Sequence, residues 1–454
     1  DSGISLKAPE PSDAFTLEQR LQAKDVFSSL RSLMSQCELA DEYSKQAFML
    51  AGLLGYDLID YFEVIAEEIN TSPVDMRIIE DDLYLLIPET RILLDHIYQT
   101  AVIEQMVVAD GESRNLYHQA TSDLAAIELA IRDLEKQNTE NKIVEVVQTF
   151  DQFLQSNKIR LQHSNKKIMV DRSDAEYEQI VEQAKHYIKK GDVFQVVPSR
   201  TFSCDCENSL YHYYCLTQQN PSPYQFYFSS SSFKLFGASP ESAVKYSAKT
   251  NNVEIYPIAG TAKRGRDSNG NIDLDLDNRL ECQLRLDEKE LAEHMMLVDL
   301  ARNDIARISV TASRHVADLL KVDRYSHVMH LVSRVVGQLK PELDAFHAYR
   351  ACLNMGTLTG APKIRATQII RKLEGHKRGY YGGAIGYFDA QGSLDSAIII
   401  RTAIVKDGRA LVTAGAGIVA DSIAEKESKE TLQKASAVLK AIVGNASNDD
   451  REFL

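Results

Sequence analysis

Two Glu-x-x-Glu pairs stand out among the residues that could do chemistry, Glu290 with Glu293 and Glu427 with Glu430. A spacing of three puts both carboxylates of a pair on one helix face. Carboxylate oxygens are hard ligands of the kind magnesium takes, alongside waters and substrate oxygens. A solvated acidic face has the same spacing, so the pairs alone leave both readings open. Beside the second pair runs an apolar stripe of Leu432, Ala435, Val438, Leu439 and Ile442, with Glu427, Glu430 and Lys434 at one flank. A helix of that design can point acids into a cleft while its stripe holds the core.

Groups suited to anions accompany these acids. Glycine-rich turns occur at 356–363 (Gly-Thr-Leu-Thr-Gly-Ala-Pro-Lys), at Gly382-Gly383 and at Ala414-Gly415-Ala416-Gly417. The first opens a helix with Pro362 near its start, and free N–H groups at helix N-termini and glycine backbones bind anions. Its spacing is not that of a Walker loop, and tight turning alone remains the other reading. Arg401 ends the apolar run 397–400, where an arginine is expected to meet a carboxylate because an unpaired buried charge is costly. His330, within Val328-Met329-His330-Leu331, is either a satisfied core histidine or a working one. Gln195 shares a strand face with Val193 and Val197, so its amide needs a backbone partner or a polar cavity.

The elements that must position these groups are legible from pattern. Ser173 and Glu176 form a capping box, Tyr177, Ile180, Val181, Ala184 and Tyr187 a helical stripe, and Gly191 a stop. Strands are expected at 78–86, 101–108, 193–197, 224–228, 234–236, 253–257, 384–388, 396–404 and 410–414. Helices are expected at 124–134, 288–304, 345–353, 363–373 and 425–442, with a break in the polar run 135–142. Runs of strands followed by helices suggest large mixed sheets with helices outside. The acidic stretch 267–277 begins like a calcium loop, but Ile272 occupies the position that needs glycine, so it reads as a solvated hairpin tip. Residues 1–167 form an N-terminal region with a helical connector and 168–454 the motif-dense region, both expected to pack into one large fold.

The net charge of -14 argues against nucleic acid as the main partner, which would require a basic footprint. It leaves room for a small anion, since a few local Arg and Lys outvote the global field. The six cysteines are scattered, Cys204 and Cys206 apart, and read as free thiols of a reducing cytoplasm. No apolar run reaches the roughly 20 residues of a membrane helix, and no signal peptide is visible.

Taken in order, several strings resemble those of the chorismate-utilising enzymes: Phe-Gln-Val-Val-Pro-Ser-Arg (194–200), Gly-Ala-Ser-Pro-Glu (237–241), Pro-Ile-Ala-Gly-Thr (257–261), Asp-Leu-Ala-Arg-Asn-Asp (299–304), Val-Met-His-Leu-Val-Ser (328–333), Gly-Thr-Leu-Thr-Gly-Ala-Pro-Lys (356–363) and Ala-Gly-Ala-Gly-Ile-Val (414–419). The resemblance covers nearly the whole chain. It implies an α+β fold of two large stacked mixed or antiparallel sheets flanked by helices. It implies magnesium at Glu293 and Glu430, with Glu290 and Glu427 beside them, gripping the ring carboxylate of chorismate. Thr261, Thr357 and the amides of Gly415, Ala416 and Gly417 would hold that carboxylate, with Ala259 and Gly260 beside Thr261. Tyr381 and Arg401 would hold the enolpyruvyl carboxylate, and Lys434 would stand at the mouth. His330, as an imidazolium, would protonate the departing 4-hydroxyl, with Glu241 a further acid near that end.

Two positions sort the family's reactions. Water-adding relatives, the isochorismate and salicylate synthases, carry a lysine base where this chain has Gln195. Ammonia already has a lone pair, so Gln195 implies an ammonia user. Aminodeoxychorismate synthases carry a nucleophilic lysine where this chain has Ala259, which implies the anthranilate-forming branch, with ammonia added at C2 and pyruvate eliminated. No Cys–His–Glu glutaminase set is apparent, so a separate glutamine amidotransferase subunit is expected, in a heterotetramer. The resemblance also implies feedback inhibition by tryptophan at a shelf of Pro223, Tyr224 and Gln225 with Ile385 and Tyr387. The family's Leu-Leu-Glu-Ser string is absent and the chain starts at Asp1, so a preceding segment carrying it is expected.

Overall fold

The computed structural model describes residues 21, 23–65, 81–107, 113–139, 168–267, 270–325 and 328–444. These fall into two compact units, one within 1–38, 51–85 and 167–454, the other within 39–50 and 86–166. In the smaller unit Thr90–Asp95 pairs antiparallel with Thr100–Gln105, setting Ile92 opposite Ile103 and Arg91 opposite Glu104. The helix Ser113–Thr139 follows. It contains the expected helix at 124–134 and runs through the polar residues to Thr139, so no break falls there. The remainder of that run, like 78–80 and Val108, lies outside the described residues.

The larger unit is built on two sheets. In the nine-stranded sheet the order is Ile258–Lys263, Val328–Gln338, Asn252–Ile255, Ser242–Ser247, Leu394–Ile398, Ala384–Asp389, Met49–Leu54 and Leu83–Leu86, with His315–Arg324 also on Val328–Gln338. In the six-stranded sheet it is Met169–Val170, Ser199–Asp205, Arg409–Gly415, Thr402–Lys406, Lys234–Ser239 and Tyr224–Ser229. Side chains of both meet in a shared apolar cluster, where Leu53 and Ile385 of one pack with Phe228, Leu235 and Ile404 of the other. The expectation of two large sheets with helices around them matches this architecture.

Two adjacent chain segments cross from sheet to sheet, and this corrects the sequence reading. The run 396–404 is not one strand. Leu394–Ile398 belongs to the nine-stranded sheet and Thr402–Lys406 to the six-stranded one, with Arg401 between them at φ 51. An uninterrupted apolar run hides such a break, because both halves are buried strands. Alongside, Lys234–Ser239 leaves the six-stranded sheet and Ser242–Ser247 enters the nine-stranded one. The crossings are tied by Ile398 N–H donating to Glu241 O at 3.0 Å and Ala238 N–H to Arg401 O at 3.2 Å. Glu241 and Arg401 therefore both stand in the gap between the sheets.

Helices hold the outside. The capping box at Ser173 and Glu176 starts the helix Asp174–Lys189. Asp287 caps Glu288–Ile308 by accepting from Lys289 and Glu290 N–H at 3.0 Å, which sets the first turn carrying Glu290. The acidic stretch is more than a hairpin tip. Arg266 bridges to Ile272, but Asp273 then caps a helix, Leu274–Leu286. Asp277 is fully buried and paired with Arg264 at 2.8 Å. The strand expected at 193–197 is confined to Gln195–Val196, paired with Gly360–Ala361.

The C-terminal helix Ala424–Val443 buries Ala435, Val438, Leu439 and Ile442 against Phe236, Ala403, Val405, Val412 and Ala414 of the six-stranded sheet, as its stripe requires. Leu439 is 0% exposed, so Leu439→Ala should cost about 2–5 kcal/mol through lost contacts and a residual cavity. A shift of the urea midpoint of that order, with unchanged slope, checks it.

Candidate active site

The two glutamate pairs do come together. Burial first, then the charge of Glu293, with Asp287 and Glu430 further contributors, raises the carboxyl of Glu290 above its usual range. Burial first, then Glu430, raises that of Glu427. Glu293 Oε1 accepts from Gln195 Nε2 at 2.9 Å. Glu430 pairs with Lys434 at 2.6 Å, and Lys434 Nζ also donates to Gly415 O at 3.1 Å. Among the described residues no three His, Cys, Asp or Glu side chains already form a closed metal cage. The donor set nevertheless suits magnesium, which needs one or two carboxylates and keeps its waters. Mutually repelling carboxylates gather here without enough cations to offset them. Gly417 makes room for the Gln195 amide beside them, since a Cβ there would lie 2.5 Å from Gln195 Nε2 and 3.6 Å from Glu293 Oε1.

Gln195 is buried beside these acids. Its Nε2 is committed to Glu293, and its buried Oε1 has no hydrogen-bond partner among the described residues. Gly260 lies at the same acidic end, where a Cβ would be 3.3 Å from Glu290 Oε2. Neighbouring Ala259 is pinned by a residue that sequence reasoning missed. His294 is fully buried, with Nδ1 bonded to Ala259 O at 3.0 Å and Nε2 to Ser333 Oγ at 2.7 Å. Its signal was its place next to Glu293, facing the sheet instead of the cleft.

At the other end stands Arg401. Its guanidinium has no hydrogen-bond or ion-pair partner among the described residues, contrary to the expected carboxylate contact. Burial holds its proton affinity below the usual value, against the pull of Tyr381, Glu430 and Glu241. Tyr381 is buried, its hydroxyl pushed up to about 12 by burial, and a Cβ on Gly415 would lie 3.1 Å from that hydroxyl. Ala416 N–H meets Pro198 O at 3.3 Å, which fixes the Gly415 turn. Glu241 accepts from Thr357 Oγ1 at 3.0 Å. Burial pushes its carboxyl up to about 8, despite Thr357, Lys434 and Arg401, so it carries a proton at neutral pH. His330 pairs across the sheet with Thr261, whose hydroxyl lies 2.9 Å from Nδ1. Burial, and more weakly Arg401, hold its imidazole below the usual value, so it rests neutral.

Of the residues expected at the inhibitor shelf, Tyr224 bonds a carboxylate on the neighbouring sheet. Tyr224 Oη donates to Asp395 Oδ1 at 3.1 Å, Lys245 Nζ sits 5.3 Å over the Tyr224 ring, and Tyr387 lies opposite Asp395 in register. Ile385 is two residues along the same strand, and Pro223 and Gln225 flank Tyr224.

The acidic end, the unpaired arginine and the buried carboxyl of Glu241 thus lie together between the two sheets. The chain belongs to the chorismate binding enzyme family, whose model matches residues 4–440. It is 47% identical over 97% of its length to anthranilate synthase component 1 of Vibrio parahaemolyticus, of which it covers 76%. Among solved structures it is similar to anthranilate synthase component I from Streptococcus pneumoniae, with 34% identity, a TM-score of 0.69, and 91% of this chain and 85% of that one covered. The menaquinone-specific isochorismate synthase of Escherichia coli shares the fold, at 18% identity and a TM-score of 0.68, with 92% and 82% of the two chains covered.

The buried acid has a stability signature. The Glu241 carboxyl is raised from 4.5 to about 8 on folding. The folded chain therefore holds a proton that the unfolded chain releases, and stability falls with pH between these values. The contribution is complete below about pH 4.5 and lost as pH rises through about 8. The stability difference between the parent and Glu241→Gln, from denaturant midpoints across that window, should shrink with rising pH and level off above it.

Proposed function

We propose that this chain is the chorismate-converting subunit of an anthranilate synthase, joining ammonia to chorismate and releasing anthranilate and pyruvate. The observation that carries the reading is Gln195. It is an uncharged amide ordered by Glu293, its buried carbonyl oxygen without a hydrogen-bond partner among the described residues, where water-adding relatives have a lysine base. The 47% identity to a protein named anthranilate synthase component 1 supports the same branch, as does Ala259 in place of a lysine nucleophile.

Arg401 and Tyr381 would take the enolpyruvyl carboxylate, with Arg401 suited to a bidentate grip. Thr261, Thr357 and the Gly415 and Gly417 amides would hold the ring carboxylate, whereas the Ala416 N–H, expected to join them, is committed to Pro198 O. Magnesium, when bound by Glu293 and Glu430 with Glu290 and Glu427 alongside, would neutralise that carboxylate at the acidic end. The lone pair of ammonia attacks C2, the ring double bonds shift, and the C4–O bond breaks. Glu241, neutral at the outset, gives the departing hydroxyl its proton so that it leaves as water. The C2 proton is then removed and the C3–O bond breaks, which releases pyruvate and leaves an aromatic ring. His330 would stand near the departing hydroxyl, and the imidazolium donor role that the resemblance implies would need it to gain a proton that burial and Arg401 disfavour in the free chain.

Purified chain given chorismate, a magnesium salt and an ammonium salt should yield anthranilate, identified by fluorescence and mass. Isochorismate or a stable 4-amino product would overturn the assignment. With glutamine as nitrogen source, turnover should require an amidotransferase subunit, and a cytoplasmic heterotetramer with that subunit is the assembly we propose. Tyr224, Tyr387 and Ile385 around Asp395 support a tryptophan shelf, and the same assay with added tryptophan tests it. Glu293→Gln and Glu430→Gln should each raise the magnesium concentration needed for half-maximal rate and lower turnover, with partial rescue by excess metal. Unchanged magnesium dependence in both variants would remove these residues from the metal site.

A further inference from the structure

Behind the residues proposed to hold the substrate lies an ion pair that reaches several of the segments carrying them. Arg378 and Glu374 are buried, their side chains 2% and 0% exposed. The guanidinium forks onto the carboxylate, Nη2 to Oε1 at 2.6 Å and Nε to Oε2 at 3.0 Å. Its remaining reach goes to two backbone carbonyls, Leu358 O at 2.8 Å and Val197 O at 2.5 Å. Leu358 follows Thr357, and Val197 is two residues beyond Gln195. The guanidinium also lies 4.7 Å from the centre of the Tyr56 ring and 5.5 Å from that of Tyr381. Glu374 in turn accepts from Ser199 N–H at 2.7 Å and Oγ–H at 2.8 Å, and Ser199 is the register partner of Gly415.

Four segments thus converge on one pair: the Gln195 strand, the Thr357 turn, Tyr381 and, through Ser199, the Gly415 turn. The pair's charges cancel, and its hydrogen bonds go to protein atoms. It is therefore not an anion receptor. A buried pair is a poor source of net stability, but a planar fork with two stacking faces fixes geometry that a flexible ammonium cannot.

We propose that Arg378, oriented by Glu374, is a positioning residue for chorismate conversion. It sets the spacing between the Tyr381 hydroxyl, Thr357, Gln195 and the Gly415 turn. The inference rests on the chorismate reading above. Reacting groups must sit within a fraction of an ångström of their working places, and a misplacement of about 1 Å can cost about 10²-fold.

The test is Arg378→Lys, which keeps the charge and loses the fork and the plane. Activity is measured with chorismate and ammonia per folded molecule, the folded fraction being taken from circular dichroism and calorimetry. We expect kcat/KM to fall by about tenfold or more. In a double-mutant cycle with Tyr381→Phe the two losses should be non-additive. A folded Arg378→Lys variant whose kcat/KM stays within about twofold, or whose loss simply adds to that of Tyr381→Phe, overturns the proposal whatever happens to Tm. Should that variant not fold, Tyr56→Leu is read by the same criteria. It removes one stacking ring and leaves every hydrogen bond of the guanidinium in place. The parent chain is the control that separates the two readings, since failure of the parent to form anthranilate strikes the assigned reaction and not Arg378.

Discussion

Two neighbouring segments carry the chain across from one sheet to the other, and each places an ionisable side chain in the gap. Neither side chain is neutralised by the other. Glu241 answers to Thr357, and the Arg401 guanidinium to no partner among the described residues. A partnerless, half-buried guanidinium is costly unless the fold over-determines its position. Here the crossing does so, through a left-handed Arg401 backbone and hydrogen bonds on both sides. The cost of holding that cation is what a bound carboxylate would offset, so the crossing and the anion site are one structural fact seen from two sides.

In the free chain burial disfavours the charged form of several groups in the cleft. Burial lowers the proton affinity of Arg401 and His330 and raises that of Glu241, Glu290 and Glu427. Desolvation disfavours the charged form of each. Mutual repulsion adds to this among the glutamates. A ligand that brings its own charges relieves both effects, and the acidic end can receive a carboxylate only together with a cation. Lys434 supplies part of that at the rim, bridging Glu430 and the Gly415 carbonyl.

Much of this was legible in the sequence, unevenly. Helices with strong periodicity were read to within a few residues, because apolar stripes and caps are local signals; Ser173, Glu176 and the Leu439 stripe are examples. Motif strings located Glu241 and Thr357, an apolar run located Arg401, and three-residue spacing located the glutamates, without saying which would meet. The crossing at Arg401 was missed because a buried strand that ends one sheet and a buried strand that starts another read as one apolar run. The helix Leu274–Leu286 was missed because its acids looked solvated, while Asp277 in fact serves the buried partner of Arg264. Arg378, Glu374 and His294 carry no motif. Their roles depend on contacts far apart in sequence, such as Arg378 with Val197, and these exist only once the fold does.

Gln195 shows how a neutral residue can choose a nucleophile. A lysine here would place its ammonium against Glu293 and compete for the charge that a divalent cation needs. The amide instead donates one hydrogen bond to Glu293 and brings no charge of its own. Its buried carbonyl oxygen has no partner among the described residues, and an unmet buried acceptor is costly. A small donor that still has a lone pair after giving one N–H to that oxygen satisfies the demand and needs no base to become nucleophilic. Ammonia meets both conditions. Water meets the first but requires deprotonation, which an amide cannot provide.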